Sequence, residues 1–209
     1  MNSNEALIKN NITPQILTKI IKAYNSLNIS FGIIELNQNN LYQSCLSFEE
    51  NTNQLYRALS ECWSFIDNLH RIREVCRQAP TLNQKGLEFR KFLEVTEIAE
   101  ECRHYMQHLA RENNNENDTT PSFGSLSWLD KDNNSKVHLR VIGIAFKGSR
   151  HSMIPFDRLE GKFISRVSLS VMDRSFNFDL IYPEIINFKN FILAKLRTEL
   201  ANNGVVENE

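Results

Sequence analysis

The chain has 209 residues, 41% hydrophobic and 23% charged, with a formal net charge of −1. That supplies enough apolar content for a packed core in one domain or two small ones. It is too balanced in charge for the global field alone to select nucleic acid or a membrane surface. No apolar run approaches the roughly 20 residues of a membrane helix, and the polar start MNSNEALIKN lacks a signal-peptide core, so a cytoplasmic protein without membrane contact is expected.

Residues 1–12 are polar and are expected to fray. Thr13 and Pro14 then suit an N-cap and a first helical position. Ile16, Leu17, Ile20, Ile21, Tyr24 and Leu27 recur at helical spacing, which predicts a helix to about Asn28. Phe31 to Leu36 (FGIIEL) reads as a strand or a buried connector, and the NQNN cluster at 37–40 as a loop. Ser47 and Glu50 have the spacing of a capping box and open a long helix. Along it Leu55, Leu59, Cys62, Ile66, Leu69 and Cys76 keep a 4,3 alternation broken by Arg73, while Trp63, Phe65, Ile72 and Val75 widen the apolar face. Pro80 ends it and APTLNQKG is the turn. Gly86 to Arg111 then reads as one long helix with a seam of Phe92, Val95, Ala99, Cys102, Met106 and Leu109. Joined by so short a turn, these two helices must run antiparallel with seams facing, and the first helix lies across them as a third member.

RENNNENDTTPS at 111–122 is polar, low in complexity and closed by proline. It divides the chain into a helical region (1–112), a linker (113–122) and a β-region with a final helix (123–209). Beyond it the period becomes alternating. Strands are expected at Leu126–Leu129, from Val137 through Phe146, at Lys162–Asp173, and at Phe176, Phe178 and Leu180, the last two segments forming a hairpin. Tyr182-Pro183-Glu184 launches an amphipathic helix through Ile185, Ile186, Phe188, Ile192, Leu193, Leu196 and Leu200, and residues 202–209 are a polar tail. The fold class is therefore α+β: an N-terminal helical hairpin or bundle, then a small antiparallel meander with one buried face covered by the C-terminal helix. Trp63 and Trp128 are expected as core anchors. Cys45, Cys62, Cys76 and Cys102 form no CxxC pair and read as packed free thiols.

The candidate chemistry starts at Arg103, His104 and His108, in the run RHYMQH. An arginine followed by a polar residue and then, four residues beyond the arginine's neighbour, a histidine resembles the R-x4–6-H signature of HEPN-domain ribonucleases. The likeness covers the helical part, residues ~10–112. It implies a metal-independent endoribonuclease of a toxin or phage-defence type, with Arg103 on phosphate and His108 as general base or acid. The chemistry fits: RNA cleavage without metal needs a group that titrates near neutrality and a fixed cation for the charge on the phosphorane. On an ideal helix Arg103 and His108 lie about 140° apart. In that family the pair converges at a dimer interface.

Three further features weigh on function. Asp67, His70, Arg71, Arg73 and Arg77 make one flank of the first long helix basic near the turn, a candidate RNA or protein docking surface. Arg73 falls on the seam and needs a partner such as Glu88 or Glu94, a pair that would fix the register of the hairpin. The loop 147–156 carries Lys147, Arg150 and His151, candidates for an anion or a partner peptide. Asp67-x-x-His70 and Glu101-x-x-His104 each place a carboxylate and an imidazole on one helical face, as in di-iron bundles. They are expected one to two turns out of register, and two further ligands are missing, so neither a metal nor a cofactor is expected. No phosphate loop, nucleophile elbow or kinase signature occurs. With no complete catalytic set, the first expectation is an interaction or regulatory protein docking a protein partner or a second copy through its helical hairpin. The HEPN-like ribonuclease is the alternative.

Overall fold

The computed structural model describes residues 12–47, 52–108, 123–142, 152–171 and 174–205. In chain order these form α1 (Pro14–Leu46), α2 (Thr52–Gln78), α3 (Leu87–Val95), α4 (Glu97–Gln107), β1 (Ser125–Leu129), β2 (Val137–Val141), β3 (Phe156–Asp157), β4 (Lys162–Phe163), β5 (Val167–Val171), β6 (Arg174–Asn177) and α5 (Phe178–Asn202). The class is α+β, as expected. Glu50 of the expected capping box, the strand extension 143–146, the linker 113–122, the two termini, and Lys147, Arg150 and His151 lie outside the described residues.

α1 begins as the sequence predicts: Thr13 is the N-cap, its hydroxyl accepting from the Ile16 amide, and Pro14 opens the first turn. It does not stop near Asn28. FGIIEL and NQNN continue it to Leu46, because Phe31, Ile34, Asn37, Gln38, Leu41 and Cys45 keep the helical period and are all buried. The asparagines' weak propensity is overridden by packing, and Gln38 donates to Asp179 of α5 at 2.7 Å. Ser47 closes α1 rather than opening the next helix; its hydroxyl donates back to the Gln43 and Ser44 carbonyls. The main helical pair is thus α1 on α2, with α5 also lying along α1.

The expected 26-residue helix is broken at Thr96. The Thr96 hydroxyl donates to the Phe92 carbonyl at 2.6 Å, and the kink opens the Leu93 carbonyl to Arg73 of α2. The two pieces then pack differently. α4 runs antiparallel to α2 through Ala99 and Cys102, whereas α3 packs on α5. Phe92 stacks on Phe188 at 3.9 Å instead of joining the seam against α2.

Four strands form one antiparallel sheet in the order β2-β1-β5-β6, with Leu126 opposite Leu169 and Trp128 opposite Val167. It is not a simple meander: β5 returns beside β1 after the separate β3–β4 ribbon. Nor has it one buried face. Every residue of β1 and β5 is buried. Leu126, Trp128, Val167, Leu169, Val171 and Phe176 make an apolar face, and Phe65 of α2 meets Phe176 and Phe178 edge-on at 5.9 and 5.2 Å. The other face carries Ser125, Ser127, Ser168 and Ser170, and Ser170 donates to the Ser152 carbonyl at 3.2 Å. Gly124 at φ +77° leads into β1, and a Cβ there would lie 2.0 Å from the Ser170 carbonyl oxygen, so only glycine fits. One connected cluster of buried apolar side chains joins α1, α2, α3, α4, the sheet and α5.

The expected strand 162–173 is divided at Ser165 and Arg166, and α5 starts at Phe178, ahead of Pro183. Both departures trace to Asp179 in the first turn of α5. Its carboxylate accepts from the Arg166 amide at 2.6 Å, the Arg166 guanidinium at 2.9 Å, the Ser165 hydroxyl at 3.1 Å and Gln38 at 2.7 Å. A carboxylate also suits a helix N-terminus. Asp179→Ala should therefore lower stability by about 2–3 kcal/mol, measured by urea unfolding; a loss below a few tenths would show that this hub is incidental. Trp128 is buried, as expected of an anchor, but Trp63 is only half-buried. The four cysteines are free and buried, with burial pushing the Cys76 and Cys102 thiols up to about 12. Among the described residues no helix is long and apolar enough to cross a membrane.

Candidate functional site between α2 and α4

The polar flanks of α2 and α4 meet along one side of their antiparallel contact. Arg73 is the anchor. Only 2% of its side chain is exposed, the seam position being fully enclosed. Nη1 donates to the Leu93 carbonyl and the Thr96 hydroxyl, both at 2.5 Å, and Nη2 to Glu100 at 2.7 Å. Its partner is thus Glu100 of α4, not Glu88 or Glu94, because the break at Thr96 shifts the register. Arg77 also pairs with Glu100 and, at 2.7 Å, with Glu74. These hydrogen bonds from Arg77 and Arg73 outweigh the cost of burial and hold the Glu100 carboxyl down to about 2.

The sign of that shift sets a pH dependence. Glu100 contributes stability above the ordinary carboxylate value, near 4.3, and loses it as the pH falls toward about 2. Between those limits the wild type should weaken, and Glu100→Gln should flatten that part of its stability–pH curve. Parallel curves for the two proteins in acid would refute the assignment.

One turn further along α2, Asp67 and His70 meet Arg103. Arg103 Nε donates to Asp67 Oδ1 at 2.9 Å, and Nη1 lies 3.0 Å from His70 Nε2. Asp67 also accepts from Arg71 Nε at 3.0 Å. Burial raises the Asp67 carboxyl, but hydrogen bonds from Arg103 and Arg71 outweigh it and leave the group below its ordinary value. Burial and then the Arg103 charge push His70 down; since a guanidinium only donates, the unprotonated Nε2 accepts the hydrogen bond from Arg103. Its Nδ1 is buried with no partner among the described residues. Arg103 Nη2 makes no hydrogen bond to the described residues. Beside it lies an open cavity of about 290 Å³ lined by Trp63, Ile66, Asp67, Arg103, Met106 and Gln107. Trp63 Nε1 is also without a partner among the described residues.

His104 is exposed on the outer flank of α4 and His108 is its C-cap, their rings 4.4 Å apart. The three residues that the R-x4–6-H spacing groups together are thus divided. His104 and His108 pair with each other, while Arg103 turns toward α2 and the cavity. His70 and Arg71 join the Arg103 cluster, and Arg73 is structural. Sequence spacing does not expose the part played by Asp67 as the carboxylate that orients Arg103, because the contact spans 36 residues.

The two carboxylate–imidazole pairs do not converge, since Glu101 turns to Arg174 of β6 at 3.4 Å. A different trio, His70, Glu74 and Glu100, does bring one donor atom each within 4.8 Å of one another. Both carboxylates already hold guanidinium groups, so the place of a cation is taken by arginine. Four arginines (71, 73, 77 and 103) face three carboxylates (67, 74 and 100) across these ion pairs. The surplus of one positive charge favours an anion here. Comparison with family models, curated proteins and solved structures finds no match.

Proposed function

We propose that the α2–α4 face is the site of a metal-independent endoribonuclease of the HEPN-like kind. The observation that carries this reading is the pairing of two imidazoles, His104 and His108, on the helix that also presents the oriented Arg103. Two adjacent imidazoles suit the two proton transfers of RNA cleavage. One accepts the 2′-hydroxyl proton while the other supplies a proton to the departing 5′-oxygen. Arg103, turned toward α2 and held by Asp67 and His70, offers its remaining N–H groups to a neighbouring phosphate of the bound strand, and the half-buried Trp63 beside it gives a base a surface for stacking. The test is incubation of the purified protein with single-stranded RNA in EDTA, wild type against Arg103→Ala and His108→Ala. Cleavage that persists equally in both variants would end the proposal.

A second reading is an interaction or regulatory protein. It is favoured by the ion pairs that engage Arg71, Arg73, Arg77 and Arg103 with carboxylates of the same chain. Growth separates the two: the ribonuclease reading expects toxic expression relieved by His108→Ala, and the interaction reading expects equal growth.

A further inference from the structure

The outer face of α1 is not explained by the fold. Ile29 and Leu36 are 64% and 58% exposed, and Ile33 between them is half-buried. Gly32 sits in the same stripe, mid-helix, with nothing within 4 Å of where a Cβ would lie. Glycine weakens a helix interior, and no contact among the described residues requires it there. What a glycine permits at such a place is the close approach of another backbone.

The charge pattern says whose. From Ala23 to Leu46 the only charged residue is Glu35, and its carboxylate is bonded to Lys189 of α5 at 2.6 Å. A stripe without charge offers nothing to select a charged partner, and it meets a copy of itself without like-charge repulsion. The spacing is also self-complementary. When two α1 helices run antiparallel about an axis between Gly32 and Ile33, Ile33 of each fills the space over Gly32 of the other. Ile29 then meets Leu36, and Asn25 meets Asn40, where two amides can exchange hydrogen bonds. Large faces small at the centre, apolar faces apolar beside it, and polar faces polar at the ends. The contact runs along about four helical turns, roughly 22 Å.

We propose that a second copy of this chain packs on the stripe, antiparallel, across a two-fold axis between Gly32 and Ile33. This interface is not the one at which the HEPN pair converges, because the stripe lies on α1 and the site lies between α2 and α4, so the dimer and the ribonuclease reading are tested separately. Two contacting helices make a small interface, so self-association falls in the micromolar range, on the order of that of weak dimers.

Sedimentation equilibrium of the full chain over a range of concentrations tests it. The wild type should dimerise, and Gly32→Leu should weaken the dimer by roughly tenfold or more while far-UV circular dichroism shows the helix retained. Register is read by oxidation. A mixture of Ile29→Cys and Leu36→Cys chains should cross-link, and either alone should do so poorly; the native thiols are buried and add little background. A wild type that stays monomeric would give the stripe to another protein and overturn the proposal. So would a dimer indifferent to Gly32→Leu, or cross-linking of each single variant with itself.

Discussion

Purified protein should cut single-stranded RNA in EDTA, and Arg103→Ala should slow the reaction by about 10²-fold, the cost typical of losing a group that positions the substrate. His108→Ala should cost about 10²–10⁴-fold, as expected for a general acid or base. The rate should follow a bell-shaped curve with pH, since one imidazole must be neutral while the other is protonated. Asp67→Asn is the most informative variant. It leaves both imidazoles and the arginine in place but weakens the charged hydrogen bond that aims the guanidinium. It should therefore reduce activity less than Arg103→Ala and leave the pH profile unmoved. An Asp67→Asn protein more damaged than Arg103→Ala would mean that the carboxylate has a catalytic part of its own.

Replacing Arg73 should be the most destabilising change in the helical region, at about 3–5 kcal/mol for Arg73→Ala. The loss combines three things. Glu100 keeps only Arg77 of its two guanidinium partners, the Leu93 carbonyl loses its donor at the kink, and a fully enclosed side chain leaves a void. Arg73→Lys should recover little, since one ammonium cannot reproduce a planar fork that spans a carbonyl, a hydroxyl and a carboxylate. Arg73→Met tests the opposite view. Buried ion pairs are sometimes replaced by apolar residues without loss, but here the Leu93 carbonyl and Thr96 hydroxyl would still be left without their donor. Urea unfolding of the three variants decides it, and a Met variant as stable as wild type would show that the polar network sets register without adding stability.

Local pattern alone was enough for the class of the fold. The helical period through Cys62, Ile66 and Leu69, the alternation at Val167, Leu169 and Val171, and the Thr13-Pro14 start are short-range signals, and each names its element. Three of the four buried cysteines, Cys62, Cys76 and Cys102, were legible from their places on apolar helix faces. Arg103, His104 and His108 were marked only as candidates, because their spacing matches a known signature while an ordinary charged flank can carry the same residues.

What sequence could not decide is where several elements end and which side chains meet. NQNN carries a loop's composition, yet Asn37 and Gln38 are buried in α1 because α2 and α5 pack around them. The helix from Gly86 has no proline or glycine at Thr96, and its break becomes intelligible only through Arg73 of the facing helix, which captures the carbonyl that the kink releases. The division at Ser165 and Arg166 depends in the same way on Asp179, 13 and 14 residues downstream. Periodicity and capping are energies of neighbours along the chain. A buried guanidinium or a shared carboxylate is an energy between segments that only the completed fold brings together. For that reason the chain's own pattern named Arg103, His104 and His108, and the tertiary structure alone set Arg103 against Asp67 and His70, away from the two imidazoles.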